Sequence, residues 1–231
     1  MTYLKTLTCF IFILSSTLIS QINTEILRQE PSKKGLTHLL QSQLNIVQGN
    51  SDFLSYNISY RADLISKSLK SFLVVSLNEL QTQSIAINKY NFAHLRILKP
   101  LSEELGIETF FQQEYNPFLD LNKRQLLGLV FRKQLNDTKK NSKKRIYFIG
   151  IGAMIEEETY TNNSKTQSLR SSNYLTITHH LSDTMSLKSI NYYQPKIAQL
   201  DDFKILSENI FSTAIHRNIN LNIHGNIRFN N

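Results

Sequence analysis

A chain of 231 residues with formal net charge +8 and 41% hydrophobic residues suits one domain of ordinary size, and no Pro-, Gly- or Ser-rich stretch divides it. Its single cysteine, Cys9, excludes a disulfide framework and a thiolate metal centre. Beyond residue 20 the longest apolar run, Leu126 to Phe131 with Gly128 inside it, falls far short of the about 20 residues that a membrane-spanning helix needs.

The chain opens on MTYLKTLTCFIFILSSTLISQINTE. One positive charge at Lys5, an apolar stretch from Leu7 to Ile19 and a small residue at Ser20 follow the order of a secretory signal peptide. We expect residues 1–20 to be that signal and 21–35 to be a periplasmic lead-in. The net charge falls by one when Lys5 leaves, and Cys9 leaves with it. For an exported chain nucleic acid is not the expected partner of this positive charge; the anionic lipid and lipopolysaccharide of an outer envelope are. Lys139, Lys140, Lys143, Lys144 and Arg145 read as one solvated basic turn.

Period two dominates the rest. Leu54, Tyr56, Ile58, Tyr60, Ala62 and Leu64 share one face, and Ser55, Asn57, Ser59, Arg61 and Asp63 share the other, as the alternation of a β-strand requires. The pattern returns with Leu69, Leu73, Val75 and Leu77, and with Ala93, Leu95 and Ile97. Leu105, Ile107 and Phe111 oppose Glu108, Gln112 and Glu114; Leu127, Leu129 and Phe131 oppose Arg124, Gly128 and Arg132. Tyr147, Ile149, Ile151, Ala153 and Ile155 oppose Gly150, Gly152 and Glu156. Ile219, Leu221, Ile223, Ile227 and Phe229 close the series. With weaker alternation near 36–48, 168–181, 185–194 and 203–215, this makes roughly eleven strands of about ten or more residues, the length a tilted strand needs to cross a bilayer.

The fold class predicted is therefore all-β, an antiparallel up-and-down transmembrane β-barrel over residues 36–231, with about eleven strands visible of an expected twelve, because such barrels favour even numbers. On this count either the chain stops before a closing strand or one strand is miscounted, for example by splitting or merging near residues 36–65. Closure follows from physics, since an unpaired amide or carbonyl facing hydrocarbon costs several kcal/mol. Odd connections, among them 81–89, 116–121, 158–167 and 195–202, are expected to be the longer outer loops and even ones the short turns; the tight first connection at 49–52 and the long basic sixth near 136–144 disobey this rule. Tyr56, Tyr60, Tyr90, Tyr115, Tyr147, Tyr174, Tyr192 and Tyr193 supply candidates for interfacial aromatic girdles.

Several stretches resemble one family. The turn GNSD at 49–52, NKYNFAHLRILKPLS at 88–102 and ETFFQQEYNPFLDLNKRQLLGLVFR at 108–132 are similar to the salt-induced outer-membrane proteins, a YdiY-like domain of unknown function. GIGAMIEEE at 150–158, YYQP at 192–195 and DDF at 201–203 are similar too. The resemblance spans nearly all of the chain after the signal. It implies a bacterial outer-membrane barrel delivered by the barrel-assembly machinery, linked to salt or osmotic stress, with no catalytic residue to carry over.

Chemistry-bearing residues are few. Adjacent His179 and His180 point to opposite faces of a strand and cannot share an ion; His94 and His216 read as interfacial or interior residues. Gly150 and Gly152 lie within a strand, where small residues relieve crowding, and no helix follows to make a phosphate loop. His179 with Ser182 and Asp183 has no nucleophile elbow to order it. We therefore expect no enzyme, cofactor or metal. The candidate interior charges are Arg61, Asp63, Arg96, Glu108, Glu114, Arg124, Arg132 and Glu156, which in a narrow barrel would pair and plug the lumen or line a small pore. The alternatives are a soluble periplasmic lipid-binding barrel, with the faces reversed, and an outer-membrane lipid-modifying enzyme.

Overall fold

The computed structural model describes residues 25, 27, 28, 34–49, 52–82, 85–136, 145–216 and 218–231. The expected signal peptide and the four lysines of the basic turn lie outside them. β-Strands run β1 (Gly35–Val47), β2 (Phe53–Ile65), β3 (Lys70–Thr82), β4 (Ile85–Pro100), β5 (Leu105–Asn116), β6 (Leu121–Gln134), β7 (Arg145–Tyr160), β8 (Lys165–Ser171), β9 (Asn173–His180), β10 (Met185–Lys196), β11 (Gln199–His216) and β12 (Ile219–Asn230). A short 3-10 turn, Pro117–Leu119, joins β5 to β6.

The twelve strands form one antiparallel sheet in sequence order. β8 and β9 both pair with β7 and both pair with β10. They are two halves of one rank, broken at the buried Ser172, whose amide donates to the Gly152 carbonyl. The alternation at 168–181 is thus one rank of eleven. Among the described residues β1 and β12 are the two ends of the sheet, each paired on one side only.

The connections depart from expectation. β3 continues to Thr82 and β4 begins at Ile85, so 81, 82 and 85–89 are strand rather than loop; β10 and β11 are separated by residues 197 and 198 alone. Alternation fades there because the outer face turns polar while pairing persists: Glu79 lies opposite Lys89 and accepts from the Tyr56 hydroxyl at 2.6 Å. The long connection is 135–144, at the opposite end.

Burial orients the two faces. One carries Arg61, Arg96, Glu108, Glu114, Arg124, Arg132, Glu156, Arg170, Lys204 and Glu208, all buried, beside buried Phe72, Phe110, Met154, Ile190 and Leu206. The other exposes Leu95, Leu105, Phe111, Leu127, Leu129, Phe131, Ile151, Ile155 and Ile205. An apolar exterior around a charged interior inverts the ordinary arrangement of a water-soluble fold. The outer face is interrupted by polar residues on β10 and β11, where Asn191, Ser189, Ser207 and Asn209 bond to one another at 2.7–3.1 Å. The sheet is strongly curled, because inner side chains meet across it: Lys204 of β11 reaches Glu156 of β7, and Tyr174 of β9 reaches Glu108 of β5.

Tyr174 and Tyr192 are buried on the inner face, 5.4 Å apart between ring centroids. They are interior packing, not girdle residues. Tyr174 lies opposite Gly150 in the register and covers it, so a β-carbon there would sit 2.1 Å from the ring; at Gly152 it would sit 2.0 Å from the backbone oxygen of Leu129. A ring can shift and a paired strand cannot. Both Gly150→Ala and Gly152→Ala are expected to destabilise, the second more, by about 1–3 kcal/mol; an unchanged urea midpoint for Gly152→Ala would refute this close approach.

Candidate functional site

The inner face is layered along the strands. At the end holding Gly35, Pro100 and Gln134 lies a first ionic cluster: Arg96 on β4, Glu108 on β5 and Arg132 on β6. Arg96 Nη1 donates to Glu108 Oε2 at 3.1 Å. The Tyr174 hydroxyl donates to the same oxygen at 3.0 Å and accepts from Arg132 Nη1 at 2.9 Å. Aromatic rings hold the guanidiniums in place, Arg132 over Phe148 at 3.8 Å and Arg96 over Phe110 at 5.1 Å. Such stacking suits the weakly hydrated, planar guanidinium.

Two residues from outside the sheet complete this cluster. Glu25, 1% exposed, accepts from Arg132 Nη1 at 2.6 Å through Oε1 and from Arg96 Nη1 at 3.0 Å through Oε2. Arg28 donates to Glu25 at 2.7 Å and to Glu108 at 2.5 Å. Burial alone would raise the Glu25 carboxyl, but Arg28, Arg132 and Arg96 outweigh it and hold the group well below the ordinary carboxylate range. Leu27 between them packs on Phe72, Val74 and Phe92, and its carbonyl accepts from Arg61 Nη1 at 2.5 Å. Arg61 also clasps Asp63.

A waist of Phe110, Leu126, Val130, Met154, Tyr174, Ile190, Tyr192 and Leu206 follows. His94 lies in the same layer, fully buried against Phe72, Phe92 and Phe110. Beyond it, toward the β7–β8 turn, sits a second ionic cluster centred on Glu156. It accepts from Arg124 through both Nε, at 2.9 Å, and Nη2, from Arg170 Nε at 2.6 Å and from Lys204 Nζ at 2.8 Å. Glu158 shares Lys204 at 3.2 Å, Asp202 takes Arg170 at 2.6 Å, and Glu114 lies 3.8 Å from Arg124.

Seven of the eight candidate charges are thus buried on the inner face, and Asp63 is half-buried beside Arg61. Arg61, Asp63, Arg96, Glu108 and Arg132 gather at one end; Glu114, Arg124 and Glu156 gather at the other. Sequence reasoning missed Arg170 and Lys204, although each alternates with apolar neighbours, Leu169 and Ile205, that mark it as inward. It also missed Glu25 and Arg28, which no periodicity flags. The histidine and serine candidates do not converge: Arg145 Nε donates to His179 at 3.1 Å, while the Ser182 hydroxyl bonds Thr184 within its own turn.

The family model described as protein of unknown function, DUF481, matches residues 44–231. The chain belongs to that family. The YdiY-like resemblance fits it. No curated protein and no solved structure matches the chain. In this DUF481 chain the match runs from the last residues of β1 through every later strand, and so takes in both ionic clusters except Glu25 and Arg28.

Removing one partner from a buried ionic cluster leaves uncompensated charge and costs about 3–5 kcal/mol. Glu156→Gln should cost that much, whereas Glu157→Gln, exposed on the outer face, should stay within about 0.5 kcal/mol; urea unfolding of the two variants compares them directly. The acid response of Glu25 has a definite sign. With its carboxyl lowered in the folded chain, its stabilisation is complete above the free value of about 4.3 and is lost only as pH falls through the lowered value. Trypsin should therefore cut after Arg28 no faster at pH 5 than at pH 7, once corrected for the enzyme's own pH dependence.

Proposed function

We propose that this protein is an outer-membrane β-barrel whose interior is plugged by its own side chains. The observation that carries the reading is the inverted polarity: Arg124, Arg132, Glu108 and Glu156 are buried on the inner face while Leu127, Leu129 and Phe131 are exposed on the outer. Water offers no reason to expose such a band, and lipid does. Strands of 12–18 residues in most ranks exceed the length needed to cross. Two cavities, of about 580 Å³ and 330 Å³, open at opposite ends and share no lining residue. The waist between them favours a plug over an open pore.

The lipid-binding alternative needs an apolar interior, and this inner face carries ion pairs at both ends. Among the described residues His179, Ser182 and Asp183 do not converge, and no reaction is proposed. Assembly machinery, outer-membrane lipid and lipopolysaccharide are the partners this reading requires; a role in salt or osmotic stress rests on the family resemblance.

Separation of inner and outer membranes, followed by electrophoresis of boiled and unboiled samples, tests the reading. A heat-modifiable band in the outer membrane is expected, with little conductance when the protein is placed in planar bilayers. Recovery as a soluble periplasmic protein would overturn the membrane assignment, and steady large conductance would overturn the plug.

A further inference from the structure

The two ionic clusters are balanced differently. Around Glu156 every partner comes from the sheet, with Arg124, Arg170 and Lys204 facing Glu114, Glu156, Glu158 and Asp202. Around Glu108 the strands supply two guanidiniums, Arg96 and Arg132, and one carboxylate, Asp63 being taken by Arg61. The second anion arrives on a segment that belongs to no strand. Two buried guanidiniums with one carboxylate between them leave room for another anion; Glu25 takes that place and brings its own counter-ion, Arg28, which pairs with Glu25 and Glu108.

Glu25 is held as a bound ligand is held. Each of its oxygens meets a different guanidinium, Arg132 at 2.6 Å and Arg96 at 3.0 Å. The cavity of about 580 Å³ opens directly on Arg28, Arg96 and Arg132, with Phe72 and Phe148 as apolar walls. That is the size and make-up of a small-molecule pocket: apolar walls with a few convergent polar groups. Its rim carries Lys34 and Lys70 together with Glu103 and Glu104, so the recognition resides in the buried pair rather than in a one-signed entrance.

We propose that Arg96 and Arg132 form a binding site for the carboxylate of a small solute entering from this end, and that Glu25 occupies the site as a built-in competitor. The Tyr174 hydroxyl and the Phe148 ring position Arg132. Release of the competitor requires Arg28 to leave Glu108 and Leu27 to leave Phe72 and Phe92, so ligand binding and undocking of Glu25, Leu27 and Arg28 are one event. Because Glu25 is tethered close to β1, its effective concentration is in the millimolar range, and an external carboxylate must outcompete it. The site does not depend on where the protein resides and goes beyond the membrane reading.

The chain contains no tryptophan, so Phe148→Trp places a single tryptophan, excited selectively at the red edge of its absorption, against Arg132. Succinate is titrated into the purified full chain in detergent. Saturable quenching is expected, with affinity rising about tenfold or more when Glu25→Gln is added, and with no response when Arg132→Gln is added to that pair. Succinate should also speed tryptic cleavage after Arg28, as Glu25→Gln should without it. Glu25 lies outside the sheet, so this variant keeps its strands, and an unchanged far-ultraviolet spectrum verifies that. Equal affinity with and without the Glu25 carboxylate would overturn the competitor. An equal response to chloride at matched ionic strength would overturn the carboxylate site.

Discussion

Charge taken out of water must be answered by charge, and the interior of this molecule is organised by that requirement. Buried ions cost several kcal/mol each unless their partners and remaining hydrogen bonds are in place. The inner face meets the requirement in two layers, at Glu108 and at Glu156, and keeps them apart with a layer of aromatic and aliphatic side chains. The strands can differ in length and the connections in size, but the parity that sends Arg96, Glu108, Arg132, Arg124 and Glu156 inward must hold. A slip of one residue would carry each of them to the apolar outer face.

The same parity links the glycines, the aromatics and the ions. Tyr174 lies over Gly150 because no side chain competes for that space, and its hydroxyl can then join Glu108 to Arg132. Phe148 and Phe110 serve at once as apolar filling and as stacking surfaces for guanidiniums. An interior built this way resists substitution more than an oily core would, since few of its residues have only one duty. Membership of a family without an assigned activity leaves the chemistry of this interior as the best guide to what the protein does.

Much of this was legible in the sequence wherever the two faces differ in polarity. Residues 54–64 and 145–155 declare their strands because every second side chain changes character, and the charges in those strands point where alternation sends them. Strand ends were illegible where both faces turn polar: Glu79, Lys89 and Tyr56 bond on the outer face, so the pairing of β3 with β4 outlasts the pattern. Tyr174 and Tyr192 stood among the girdle candidates because alternation gives relative faces but no absolute inside, and a tyrosine suits either side. Glu25 and Arg28 lay beyond any periodic signal. Their role arises from Arg96 and Arg132 being brought together by the sheet, which no local window contains.

Glu25 meets Arg132 across a separation of 107 residues, and this sets an order of events. Neither guanidinium has its place until β4, β5 and β6 have paired, and closing so long a loop before those pairings form brings entropy loss with little return. Glu25 and Arg28 therefore reach their native contacts only after the central strands have paired. Between the pairing of the central strands and the arrival of Glu25, Leu27 and Arg28, the nascent sheet passes through a state in which the pocket at Arg96 and Arg132 stands open.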